Sequence, residues 1–170
     1  HAVASLDLGG TVVDVCVGSH SNHCFAIVEK PHGKNDVVEL SGIRSAAPQA
    51  RVLRAHCEAS RICCDPQGRW LVALEPHEAK VLGLATGQCI ASVPCGGEDC
   101  PIRFDEAGEY LVCGGDWSWA SQILKAGSWE VVDRMDGGRA QIVLRNGHVL
   151  EIKKSVLGYR PLGQTNQVWR

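Results

Sequence analysis

Apolar residues in this chain fall in short runs separated by tight polar breaks. Thr11 to Val17 is nearly filled by Val12, Val13, Val15, Cys16 and Val17. Cys24 to Lys30 carries Phe25, Ala26, Ile27 and Val28, and Asp36 to Leu40 and Ala50 to Ala55 follow. Ser60 to Cys64, Arg69 to Leu74, Ala79 to Leu84 and Gln88 to Val93 continue the series. Runs of this length between turn residues predict β-strands. Their near-continuous apolar character suits inner strands covered on both faces, since an exposed sheet would alternate. Trp117, Ala120, Ile123 and Leu124 also fit a helical period. The register carried over from the preceding segment favours strands there too.

One stretch recurs. Asp65-Pro66-Gln67-Gly68-Arg69-Trp70-Leu71-Val72 returns forty residues later as Asp105-Glu106-Ala107-Gly108-Glu109-Tyr110-Leu111-Val112, and Thr86-Gly87 returns as Ala126-Gly127 at the same offset. Asp, Gly, an aromatic, Leu and Val match in register. The unit reads as four strands, with Asp65-Pro66-Gln67-Gly68 a hairpin turn in which Pro fixes one φ and Gly68 supplies φ > 0. Repeats of about 40 residues built this way point to propeller blades.

These residues resemble the WD-repeat family of β-propellers. Ala55-His56 stands in the family's Gly-His place and Asp65-Pro66-Gln67-Gly68 in its Ser-Pro-Asp-Gly place. Leu84-Ala85-Thr86-Gly87-Gln88-Cys89-Ile90 matches the third turn and fourth strand. Leu82-Gly83 and Gln122-Ile123 occupy the slots of the signature Trp-Asp pair, so the repeat is degenerate. The likeness covers residues 50 to 138 best. It implies a scaffold fold and names no partner.

The resulting expectation is an all-β partial β-propeller of about three four-stranded blades with flanking partial blades. Residues 1–154 form the propeller segment, with blades at 11–56, 57–97 and 98–138 and a half-blade at 139–154. There Arg145-Asn146-Gly147-His148 makes an Asn-Gly hairpin. Residues 155–170 read as an irregular tail, and His1 to Leu8 as the last strand of an earlier blade. Propellers close with 4 to 8 blades. The missing strands are therefore expected from further chain or from a partner protein, because an open end leaves an unpaired apolar edge.

Composition adds little to the fold but narrows the setting. With 45% apolar residues and a net charge of −2, the chain reads as an ordinary globular domain. No run approaches the 18 apolar residues of a membrane span. Nine cysteines, odd in number and lacking a paired Cys-x-x-Cys, mostly occupy strand positions. They suggest an intracellular, reducing compartment: cytoplasm, nucleus or organelle interior. From Arg139 onward six Lys or Arg face the single Glu151, a net of +5, so the first 138 residues carry −7.

Candidate chemistry is thin. Leu6-Asp7-Leu8-Gly9-Gly10-Thr11 resembles the phosphate-binding turn of actin-like sugar kinases and the Asp-x-Gly-Gly-Thr-x-x-Asp turn of hydantoinase-type enzymes. The other reading is a Gly-Gly turn between blades. His20, His23 and Cys24 present zinc-ligand types without a fourth member, and a solvated hairpin turn is favoured. Cys95 and Cys100 either close a disulfide across a loop or stand as free thiols at a blade connection. A Gly-x-Ser-x-Gly elbow and a Walker loop are both absent from the sequence.

No catalytic residue, cofactor or metal is expected. The expected function is a non-catalytic scaffold or interaction subunit of a larger multiprotein assembly. Its partners are other protein subunits, including the chain or partner that completes the propeller. Partner-binding candidates are Trp117, Trp119, Lys153, Lys154, Tyr159, Arg160, Trp169 and Arg170. One alternative is an RNA-associated propeller subunit of a ribosome or RNA-modification complex, using the basic end. The other is a phosphotransferase-like enzyme built on Asp7-Leu8-Gly9-Gly10-Thr11.

Overall fold

The computed structural model describes residues 5–18, 22–45, 47–95, 100–114, 120–135, 139–143, 146–153, 156–164 and 168–169. They form four four-stranded antiparallel sheets in chain order, with no helix among the described residues. The first sheet holds β1 (Thr11–Val17), β2 (Cys24–Glu29), β3 (Asn35–Ser41) and β4 (Gln49–Cys57). The second holds β5 (Arg61–Cys64), β6 (Trp70–Glu75), β7 (Glu78–Gly83) and β8 (Cys89–Pro94). The third holds β9 (Ile102–Phe104), β10 (Tyr110–Cys113), β11 (Ser121–Lys125) and β12 (Val131–Met135). The fourth holds β13 (Arg139–Val143), β14 (His148–Lys153), β15 (Val156–Pro161) and β16 (Val168–Trp169). The first strands β1, β5, β9 and β13 contact one another in succession, which makes them the inner strands of neighbouring blades.

The repeated hairpins have the geometry their residues require. Gly68 and Gly108 sit at φ 71° and 69°, where a side chain is strained. Each N–H closes its turn on the preceding aspartate's carbonyl, at 2.8 Å to Asp65 and 3.1 Å to Asp105.

Three apolar layers lie between the sheets. Phe25, Ile27 and Val37 meet Ile62, Leu71, Ala73 and Leu82. Val72, Leu74, Val81 and Val93 meet Ile102, Phe104, Leu111 and Leu124. Val112, Ile123 and Met135 meet Val143 and Val149. Adjacent residues of β6 and β10 therefore serve opposite layers, and those of β2 serve one layer and an outer-face cluster of Ala26, Val28 and Val38, which is why these strands are apolar on both faces. Each such side chain contributes roughly 1.5–3 kcal/mol by leaving water.

Three expectations are corrected. Residues 156–161 and 168–169 of the supposed tail are strands β15 and β16, so the expected half-blade is a four-stranded sheet. The apolar pattern hid β15 because its buried positions are Gly158 and Arg160, with Leu157 and Tyr159 outside. β1 is not covered on both faces: Val12, Val13, Val15 and Val17 are 48–64% exposed. Residues 5–8 form no strand. Instead Leu8 packs against the cluster of Ala26, Val28 and Val38 on the first sheet's outer face.

Candidate protein-docking surfaces

Charged side chains at the blade junctions are committed to holding sheets together. Asp65 is fully buried and accepts hydrogen bonds from the Arg69 backbone N–H at 3.0 Å and from Arg69 Nε at 2.7 Å. Arg69 Nη2 donates onward to the Gly108 carbonyl of the third sheet at 2.7 Å, and Gln67 Nε2 to the Ala107 carbonyl at 2.7 Å. The hydrogen bond to Asp65 raises the Arg69 pKa further. The same guanidinium lies 3.9 Å over the Trp70 ring, which meets Trp129 edge-on at 5.1 Å.

Asp14 Oδ2 accepts the Ile62 N–H at 2.8 Å, and Arg54 Nε donates to Glu75 at 3.0 Å, joining the first and second sheets. Between the third and fourth, Arg160 Nη1 and Nη2 grip Asp133 at 2.6 and 3.1 Å, and Nη1 also reaches the Gln164 carbonyl at 2.8 Å.

Two surfaces beside these contacts are open. A groove of about 380 Å³ opens between the first two sheets, walled by Phe25, Cys64, Pro66 and Leu84. Glu39 stands at its rim, bonded to His23 Nδ1 at 2.8 Å and accepting from Arg51 Nε at 2.8 Å, and Arg51 Nη2 reaches the Leu84 carbonyl at 3.4 Å. The second surface is the far side of the fourth sheet. Leu150 pairs with Tyr159 across β14 and β15, which puts both on the face opposite buried Val149 and Arg160. Tyr159, 43% exposed, stacks on His148 with centroids 4.5 Å apart and planes 7° apart, and Leu157 is 52% exposed. Asn146 Nδ2 donates to the Tyr159 hydroxyl at 3.0 Å.

Of the residues singled out in the sequence, Tyr159 lies on that face. Arg160 does not, and this corrects the expectation that it meets a partner: at 2% exposure it is spent on Asp133, because a guanidinium in an apolar layer needs a carboxylate beside it. Lys153 and Trp169 have backbone positions in β14 and β16. Trp117, Trp119, Lys154 and Arg170 lie outside the described residues. His148, Asn146 and Leu150 escaped sequence reasoning, since only strand pairing brings them beside Tyr159.

The other candidate chemistry resolves into structure. Asp7 Oδ1 accepts the Gly9 N–H at 2.8 Å, and Lys30 Nζ donates to the Leu8 carbonyl at 2.6 Å. A Cβ on Gly10 would lie 2.2 Å from the Glu29 carbonyl oxygen, so close packing on β2 demands this glycine. Thr11 then opens the antiparallel β1–β2 hairpin, and the long α/β segments that such enzymes need downstream do not occur among the described residues. His20 lies outside the described residues, His23 bonds Glu39, and no group of three or more potential metal ligands occurs among the described residues.

None of the nine cysteines forms a disulfide, Cys95 and Cys100 included. Burial pushes the Cys64 thiol up to about 11 and raises Cys16 and Cys63. Cys113 is raised by a hydrogen bond with Cys95 and by burial. Such thiols are poor nucleophiles.

No protein-family model matches the chain, and no curated protein does. Solved structures do. The WD40 repeats of RRP9 align with 98% of this chain and 52% of their own at a TM-score of 0.69 and 9% identity. The structure of U3-55K aligns with 98% and 53% at 0.66 and 10% identity. The β-propeller domain of the Trilobed protease from Pyrococcus furiosus, described as having an open velcro topology, aligns with 93% and 56% at 0.63 and 10% identity. The chain thus has a WD40-like β-propeller fold and spans about half the length of the solved structures it matches.

Proposed function

We propose that this propeller arc is a non-catalytic scaffold that docks other protein subunits within a larger assembly. The observation that carries the proposal is the far face of the fourth sheet, where Leu157, Tyr159 and Leu150 form an apolar and aromatic surface while neighbouring Arg160 is spent inside. Aromatic groups of this kind anchor protein interfaces. The likeness to WD40 propellers supports the reading, and so do the junction charges, which brace blades and do not converge on an open site. A reducing, intracellular setting belongs to the same proposal, supported by nine cysteines that form no disulfide. No helix among the described residues is long and apolar enough to cross a membrane.

RNA is the second reading, favoured by the exposed His148–Tyr159 stack and by a net +5 after residue 138. Binding to a candidate protein subunit and to single-stranded RNA, each measured at about 50 and about 300 mM salt, separates the two. RNA affinity falls with a log–log slope of about 0.7 per phosphate contact, whereas apolar docking changes little. Protein binding that survives high salt and is lost in Tyr159→Ala is the expected result. Salt-sensitive RNA binding that is lost in Lys153→Glu/Lys154→Glu, with no protein binding that survives high salt, overturns it.

A further inference from the structure

On the outer strand of the first sheet, His56 sits at φ 54°, a left-handed conformation that strains a residue with a side chain. A bulge in β4 puts it there: Asn35 pairs with Cys57 and Val37 with Arg54, so Ala55 and His56 together face Asp36 alone. The Asp36 carboxylate fixes the bulge by accepting the His56 N–H at 3.0 Å, and Lys30 Nζ lies 3.8 Å from its second oxygen. Bulges of this kind re-aim a side chain. Here the imidazole is brought to the β2–β3 turn, where its ring centre lies 5.1 Å from that of His32 with the planes 47° apart. The turn is held as firmly, since the Gly33 N–H donates to the Lys30 carbonyl and the Lys30 N–H to the Lys34 carbonyl, both at 2.9 Å. Both histidines are exposed. The neighbouring cations are engaged elsewhere: Lys34 pairs with Glu58, and Lys30 donates to the Leu8 carbonyl at 2.6 Å.

We propose that His32 and His56 together bind a divalent transition-metal ion of the Zn²⁺ class, which clips the β2–β3 turn to the bulge of β4. The ring separation carries the inference. Imidazole nitrogens bind Zn²⁺ at about 2.0–2.1 Å, and two rings that share one tetrahedral ion then have centres about 5 Å apart. The 47° tilt is not that of a stack, for which the His148–Tyr159 pair at 7° is the comparison within the same molecule. Imidazole is also the ligand that suits this class of ion. No group of three or more potential ligands occurs among the described residues, so the remaining coordination positions fall to water. Two protein ligands give a weaker, more exchangeable site than the closed four-ligand kind that folds a zinc finger. The site lies within one blade and is independent of the scaffold reading.

The test is a ZnCl₂ titration of the metal-free protein, without an affinity tag, followed by the proton–nitrogen correlation signals of its imidazole rings. The His32 and His56 signals are identified by their loss in His32→Gln and His56→Asn. Asparagine tolerates the left-handed conformation, so the second variant keeps the bulge. Both signals should move on one curve, with a dissociation constant of about 100 µM or tighter. Each variant should keep the β-sheet circular dichroism of the parent and weaken the response of the remaining ring at least about tenfold. His148→Gln, in the fourth sheet, should leave the curve unchanged. No response of either ring up to about 1 mM Zn²⁺ overturns the proposal. So do separate curves for the two rings, or an undiminished response of one ring once the other is replaced, since either result means independent adventitious binding only.

Discussion

Asp65 and Asp105 occupy the same place in consecutive hairpins, and both are buried, but the residue four positions on differs. After Asp65 it is Arg69, whose guanidinium folds back on the carboxylate and reaches the Gly108 carbonyl of the next blade. After Asp105 it is Glu109, which turns outward to Lys125 at 3.5 Å, while Asp105 accepts the Tyr110 N–H at 2.7 Å. The repeat thus conserves the turn and varies the latch. The turn serves its own hairpin, and the latch couples one blade to the next.

The largest expected effect breaks the turn and the latch together. A Cβ on Gly108 would lie 2.2 Å from Asp65 Oδ1 and 2.9 Å from Arg69 Nη2, whereas one on Gly68 meets nothing within 4 Å. Both glycines share the left-handed conformation. Gly68→Val should therefore cost about 1–3 kcal/mol from backbone strain alone, and Gly108→Val about 4 kcal/mol or more once the buried Asp65 carboxylate is displaced as well. Urea denaturation of the two variants reads the gap, and equal losses would abolish the distinction between turn and latch.

Asp65→Ala comes next. It removes the carboxylate that accepts the Arg69 backbone N–H and guanidinium, while Arg69, partly exposed, keeps the Gly108 carbonyl, for an expected loss of about 2–3 kcal/mol. Asp105→Ala removes one backbone hydrogen bond in a similar setting and should cost about 1–2 kcal/mol. Thermal melts of the pair at one pH sharpen the comparison. Arg69→Ala in an Asp105→Ala background should be close to additive if the latch belongs to Asp65.

The smallest effect concerns a pair outside any junction. Lys80 and Ser92 hold the Glu78 pKa below its ordinary value, with the hydrogen bond from Lys80 leading. A carboxylate with a depressed folded pKa stabilises above its unfolded pKa and loses that contribution as pH falls through the folded one. Glu78→Gln should therefore differ from the parent above about pH 4.5 and converge with it at lower pH. Because the pair is exposed, the difference should stay under about 0.5 kcal/mol and shrink with added salt. A loss matching that of Asp65→Ala would place the stability of the second sheet in surface pairs.

How far these features are legible in the sequence depends on whether they are local. The turns at Asp65 and Asp105 are, since Asp, Gly and the following aromatic specify the hairpin within six residues. The central strands are equally plain, because β2, β6 and β10 are buried on both sides and carry unbroken apolar runs. β15 was hidden because its inward residues are a glycine and an arginine, and the arginine is tolerated only beside Asp133, 27 residues away. β1 misled in the other direction. Its valines look like those of a doubly covered strand, yet whether anything covers them depends on a neighbour and not on the strand. The His148–Tyr159 stack needs the register between β14 and β15, which no local pattern carries.

In every sheet the strands lie side by side in the order in which they are synthesised. That order has a consequence in time. Emerging from a ribosome, the first sheet can complete its ladder once Cys57 is clear, without waiting for distant chain, and each later sheet can do likewise, which keeps contact order low for an all-β protein. Its apolar face of Phe25, Ile27 and Val37 is shielded only when Ile62 and Leu71 arrive. Each blade therefore passes through an interval in which its backbone is fully paired while one face stays sticky, and these intervals are where a nascent chain of this design is most open to chaperones and to wrong neighbours.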